Sequence, residues 1–137
     1  MGAAKYDFSI EQGTSFKFVF IYKDQDSNAI DLTDWCARLT WKTNTGTTQV
    51  FESGHDSTDY KFTIDEPNGK LTFMIPAEVT NDYSFNTAKY DIELQSPDDL
   101  YSGGGKYTIR ILYGLITVVK RNSQYTTNLD CNVWAIL

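Results

Sequence analysis

Residues 15–23 read SFKFVFIYK. Phe16, Phe18, Phe20 and Tyr22 alternate with Lys17, Val19, Ile21 and Lys23. Successive side chains of a β-strand point to opposite faces, so this alternation marks a strand whose aromatic face looks into a core. Val19 and Ile21 make the middle of the strand apolar on its other face as well. That pattern places it in the centre of its sheet.

The same period of two recurs along the chain. Trp35, Ala37, Leu39 and Trp41 share one face over residues 35–42, opposite Cys36, Arg38, Thr40 and Lys42. Tyr60, Phe62 and Ile64 align, as do Leu71, Phe73 and Ile75, then Tyr90, Ile92 and Leu94. A last strand-like run covers residues 106–119. The stretches between them, 24–28, 44–48, 67–69 and 96–105, are rich in Asp, Asn, Gly, Pro and Ser, the residues of turns. Asn68-Gly69 is a hairpin signal. Pro76 could open one helical turn over residues 76–83, and no longer amphipathic helix is visible. Short strands separated by turns at a spacing of roughly 8–12 residues argue for an all-β sandwich or barrel. The expected core is Phe16, Phe18, Phe20, Trp35, Ala37, Leu39, Trp41, Phe62, Leu71, Phe73, Tyr90, Ile92, Leu94 and Ile111.

A chain of 137 residues with 41% apolar and 15% aromatic content is long enough for one self-sufficient core and too hydrophobic to be disordered. No run approaches the roughly 18 apolar residues of a membrane helix. With 18 acidic against 12 basic residues the formal charge is −6. Phosphate backbones are bound through positive faces, so nucleic acid is not an expected partner. The two cysteines, Cys36 and Cys131, do not make a disulfide framework and read as unpaired thiols of a reducing compartment. The opening MGAAKY has no apolar core of a signal peptide.

His55 is the only histidine; beside Asp56 and Ser57 it suggests a triad, yet triads are set by spatial roles, and a polar loop explains the segment. Asp24, Asp26 and Asn28 have the opening spacing of a calcium loop. Ala29 then stands where glycine is needed and Trp35 where the closing glutamate belongs, leaving an ordinary turn. Residues 102–106 read SGGGK, without the first glycine or the following Ser/Thr of a phosphate loop. Asp65-Glu66 and Asp98-Asp99 read as solvated loop charge. Trp35 and Trp41 share their face with Ala37 and Leu39, which is core behaviour; Tyr101, Tyr113 and Trp134 are better placed for exposed contact. No catalytic, cofactor-binding or metal-binding residue emerges, and the chain is expected not to be an enzyme.

The ends stand apart. Residues 1–11 read as an arm leading to an edge strand. Residues 122–137 begin polar and finish Val133-Trp134-Ala135-Ile136-Leu137. An apolar terminus wants a surface to cover, on its own domain or on a neighbour. The domain division is therefore a β-domain with its arm, residues 1–121, and a docking tail, residues 122–137. Candidate docking residues are Tyr6, Phe8, Tyr125, Leu129, Val133, Trp134, Ile136 and Leu137.

The ordered set of motifs resembles a family of tailed-bacteriophage virion proteins, similar to the N-terminal domain of upper baseplate proteins. The resembling stretches are residues 7–16 (DFSIEQGTSF), 22–28 (YKDQDSN), 30–39 (IDLTDWCARL), 69–73 (GKLTF), 88–94 (AKYDIEL) and 112–118 (LYGLITV). Asp34-Trp35 replaces the family's Gly-Tyr, and Thr87-Ala88 replaces the glycine before the later strand. The resemblance implies an Ig-like antiparallel β-sandwich of about seven or eight strands. It also implies a non-enzymatic part of a tail, baseplate or neck, several copies in a ring or collar held by neighbouring virion proteins, and assembly in the host cytoplasm. It brings no membrane, small-molecule substrate or cofactor. The alternative reading of the aromatic content is a carbohydrate-binding module for host-surface recognition.

Overall fold

The structure, a computed structural model, describes residues 3–101 and 105–122. In chain order it contains strands Ala4–Lys5 (β1), Phe8–Glu11 (β2), Phe16–Ile21 (β3), Cys36–Thr43 (β4), Thr48–Glu52 (β5), Lys61–Asp65 (β6), Lys70–Ile75 (β7), Thr87–Tyr101 (β8) and Gly105–Val119 (β9). A short α-helix, Ala77–Asn81 (α1), links β7 to β8, and a single 3-10 turn, Glu66–Asn68, links β6 to β7. Two sheets form. In the larger the strands run β9, β8, β4, β5, with β1 and β2 both lying along the outer edge of β9; the smaller runs β3, β7, β6. Every pairing is antiparallel except that of the arm, because β1 and β2 run parallel to β9. The chain is thus an all-β, two-sheet protein.

Alternation builds the core between the sheets. Ala37, Leu39 and Trp41 of β4 and Tyr90, Ile92 and Leu94 of β8 are buried, as are Phe62 of β6 and Leu71, Phe73 and Ile75 of β7. On β9 the parity of the pattern changes midway. Ile92 pairs with Leu112 while Glu93 pairs with Arg110, so Ile111 is one residue extra. A bulge of this kind breaks strict alternation, and Ile111 and Leu112 are consecutive and both buried. Beyond it Ile116 and Val118 continue the inward face and meet Ile10 of β2 in the core.

The corner where β2 turns into β3 is tied to α1 by one buried hydroxyl. Thr80 is fully buried. Its Oγ1 donates to the Thr14 carbonyl at 2.7 Å and accepts from the Gly13 N–H at 3.1 Å. Thr80→Val keeps the shape and leaves that carbonyl and N–H without their partner. Leaving buried polar groups unsatisfied costs about 1–3 kcal/mol, so the urea midpoint should fall by a corresponding amount. An unchanged midpoint would show that water takes over both bonds.

Several expectations need correction. The strand of residues 15–23 is not central: β3 is an edge of the smaller sheet, with only β7 beside it among the described residues. Phe16, Phe18, Phe20 and Trp35 are accordingly packed against the core but only partly buried. The turn expected over residues 96–105 is much shorter, since β8 runs to Tyr101 and β9 restarts at Gly105. Ser96, chosen as a turn residue, is buried in the strand, and its Oγ accepts from the Tyr107 N–H at 2.8 Å. β5 was not foreseen. Its one buried residue is Phe51, too little to show a period. The helical turn after Pro76 and the β6–β7 connection at Asn68-Gly69 occur where expected; Gly69 takes a left-handed φ of 58°.

Candidate docking surface

The N-terminal arm is the part of the predicted docking surface that the described residues contain. Ala4 and Lys5 pair with Leu112 and Tyr113, and Phe8 to Glu11 pair with Ile116 to Val119. β1 and β2 are therefore one edge strand interrupted at Tyr6-Asp7, opposite Gly114. The interruption is filled by specific bonds. The Tyr6 N–H donates to the Tyr113 carbonyl at 2.8 Å. The Leu115 N–H donates to Asp7 Oδ1 at 2.9 Å, so a side chain stands in for a ladder carbonyl. The Tyr90 hydroxyl donates to the Tyr6 carbonyl. This close approach requires glycine opposite: a Cβ on Gly114 would lie 2.0 Å from the Tyr6 carbonyl oxygen.

Tyr6 and Phe8 differ in exposure. Tyr6 is 51% exposed, on the rim of the arm. Phe8 is half-buried, with its ring centroid 5.2 Å from Phe16, 5.3 Å from Phe18 and 4.9 Å from Tyr90. It clamps the arm onto β3 and the core. Tyr125, Leu129, Val133, Trp134, Ile136 and Leu137, with Cys131, lie outside the described residues.

Tyr90 is the hinge of this cluster. Burial, followed by the nearby charge of Asp7, pushes its phenol above the ordinary tyrosine value; burial, followed by Asp59, does the same for Tyr83. A proton held more tightly in the folded state stabilises the fold below the unfolded pKa, and that contribution is lost as pH rises towards the folded value. Stability should therefore hold up to about pH 10, the ordinary tyrosine pKa, and fall above it. Urea midpoints measured across that range should show the decline, with a shallower slope in Tyr90→Phe. Equal slopes in the two proteins would remove Tyr90 as a contributor.

His55, Asp56 and Ser57 sit on the rim of a shallow groove of about 550 Å³ that Trp35, Cys36, Tyr60 and Glu66 also line. Cys36 is an exposed free thiol. Asp24 Oδ1 accepts from the backbone N–H groups of Asp26 and Asn28, at 2.9 and 3.0 Å, which makes the segment a self-capped turn. Among the described residues no group of three or more His, Cys, Asp or Glu gathers to hold a metal ion. Trp41 is fully buried, and the Arg110 guanidinium lies 4.9 Å above the Tyr113 ring. Among the described residues no helix is long and apolar enough to cross a membrane.

Sequence reasoning missed the apolar residues on the outer faces of the sheets. Val19, Ile21 and Met74 stand exposed on the smaller sheet, and Val50, Leu115 and Val119 on the larger. Val19 and Ile21 are visible in the pattern but read there as the mark of a central strand. Leu115 and Val119 fall within an apolar run, where only the strand register tells inward from outward, and Val50 stands beside Phe51 in a strand too polar to show a period. The class the fold defines is a two-sheet all-β domain with an arm clamped along β9. No family model matches the chain, and no curated protein matches it either.

Proposed function

We propose that the chain is a non-enzymatic structural component of a tailed-bacteriophage particle, in its tail, baseplate or neck, built from an Ig-like sandwich and held by neighbouring virion proteins. The observation that carries this reading is the exposure of apolar side chains on the outer faces of both sheets, together with Tyr6 on the arm. On the smaller sheet Val19, Ile21 and Met74 stand on the paired strands β3 and β7, and exposed apolar patches mark sites of protein association. The strand order supports the Ig-like part: β4, β8 and β9 occupy the places of strands C, F and G, and β3, β7 and β6 those of B, E and D. The ordered motifs that resemble baseplate proteins support the particle itself. The test is quantitative peptide mass spectrometry on density-purified particles from the source lysate. A fixed ratio to the major capsid protein is expected, and its value would report the symmetry of the ring. Absence from particles, with the protein free in the lysate, would remove the structural reading.

A second reading, a carbohydrate-binding module, is favoured by the groove in which Trp35 and Tyr60 lie among Asp56, Ser57, Lys61 and Glu66. Aromatic faces beside polar groups suit a sugar ring. Glycan-array binding that disappears in Trp35→Ala would put this reading first.

A further inference from the structure

The edge of β3 is unusual for a protein surface. Exposed, flat, apolar edge strands invite unwanted pairing, and natural sheets blunt them with prolines, bulges or charges, lysine above all. β3 has no proline, its six pairs with β7 run without a register shift, and its one charge is Lys17. Val19 and Ile21 are 44% and 43% exposed on the outer face. Phe16, Phe18 and Phe20 are only partly buried on the inner one. The Tyr22 N–H donates to the Gly69 carbonyl in continuation of the β3–β7 register. Hydrogen-bonding directions alternate along a strand, so the backbone groups of Lys17, Val19 and Ile21 face the open edge.

The chain also leaves the sandwich beside this edge. The Gln12 N–H donates to the Val119 carbonyl, and the Arg121 N–H donates to Gln12 Oε1 at 3.0 Å. Gly13 lies so close that a Cβ there would be 2.3 Å from Arg121 Nη1. β9 therefore ends at the corner from which β3 starts, at Phe16. Residues 123–137 can span up to about 50 Å when extended, whereas a strand the length of β3 needs about 20 Å. The last five residues of that segment, VWAIL, are apolar at both parities, matching a strand that is apolar on both faces.

We propose that residues 123–137 fold back on their own domain and add a strand to the open edge of β3. β3 then becomes the central strand that its sequence pattern describes, with a neighbour on each side, and the backbone groups of Lys17, Val19 and Ile21 gain partners. A segment of the same chain reaches this edge ahead of other copies, because its effective concentration is in the millimolar range. The proposal does not depend on the particle reading, since the isolated chain tests it.

The experiment is amide hydrogen exchange on the intact chain, resolved to single residues and repeated over a hundredfold range of protein concentration. Lys17, Val19 and Ile21 are expected to be protected independently of concentration. In full-length Trp134→Pro/Ala135→Pro, which removes one donor of each parity from the tail, their exchange should accelerate by at least about tenfold while Ile92 in β8 stays protected. Ile136→Asp is a milder variant that keeps the comparison available should the proline pair lower overall stability. Unprotected edge amides in the intact chain, or protection unchanged in both variants, would overturn the proposal. Protection that grows with concentration would overturn it in favour of a second copy seated on the edge.

Discussion

Trp41→Ala is expected to lower the unfolding free energy by about 3–5 kcal/mol, the range for deleting a buried tryptophan. The indole has 0% exposure and sits between the sheets. Its ring centroid is 4.6 Å from Phe51, 5.7 Å from Phe85 and 5.8 Å from Tyr83. These neighbours come from β5 and from the segment after α1, so the indole joins elements far apart in sequence. Its Nε1–H donates to Gln49 Oε1 at 2.6 Å. Gln49 is exposed and can turn to water when the indole is gone, so the cavity rather than the lost bond dominates the cost. A domain of this size has a total stability of about 5–15 kcal/mol, which makes the loss a large share. Urea denaturation should show a lower midpoint with an unchanged slope, the sign that stability changed and compactness did not. Trp35→Ala, at a half-buried position, is the control and should cost less than half as much. A loss under about 1 kcal/mol at Trp41 would mean that the surrounding rings close the cavity.

The contrast between Trp41 and Trp35 shows what a sequence pattern carries. Both lie on the same face of one alternating run, and alternation tells which face looks inward. It does not tell how far a residue lies from the end of the strand or the rim of the sheet. Trp41 is central, while Trp35 precedes β4 and lines a groove. The same limit explains β3. Its two apolar faces are plain in the sequence, but the identity of the strand beside it depends on pairing between distant segments, which no local period encodes. β5 was invisible because an edge strand with one buried residue has no second inward residue to establish a period. The bulge at Ile111 was hidden for a related reason: an apolar run of Ile109, Ile111 and Leu112 fits either parity, and only the partner strand fixes which residue is extra. Of the docking candidates, Tyr6 and Phe8 were legible as part of an arm. Their different roles, rim and clamp, came from rings brought in by β3 and β8.

Charge was legible as composition and uninformative as position. The ion pairs Arg38–Glu93 and Arg110–Asp91 are cross-strand contacts at the surface. Such pairs contribute about 0–1 kcal/mol, so they refine a register that the core already imposes. Polar side chains bonded to backbone are the more informative group. Asp7, Gln12, Asn44 and Thr80 each fill a gap in the ladder or a corner, and none carries a signal in sequence beyond being polar.

Gly114→Val is expected to detach the first half of the arm while leaving the sandwich folded. The glycine is needed because of what lies opposite rather than its own backbone angle. A Cβ would stand 2.0 Å from the Tyr6 carbonyl oxygen, 2.7 Å from its carbon and 2.8 Å from Asp7 Oδ1. Backbone atoms cannot move aside as a long side chain can, so β1 must lift. Lifting removes the Tyr6 N–H bond to Tyr113, the Leu115 N–H bond to Asp7 and the Tyr90 hydroxyl bond to Tyr6. At about 1 kcal/mol net for each bond, the opening should become easier by roughly 2–4 kcal/mol, enough to raise the exchange of the Tyr6 amide well over tenfold. Ile10 should remain protected, because it is buried and paired with Val118 beyond the interruption. Phe8, clamped by Phe16, Phe18 and Tyr90, forms the boundary between the part that lifts and the part that stays. If the Tyr6 amide exchanges at the same rate in Gly114→Val as in the parent chain, the arm has room that the close approach at Gly114 denies. If Ile10 is lost together with Tyr6, the arm is a single cooperative strand and the interruption at Tyr6-Asp7 does not divide it.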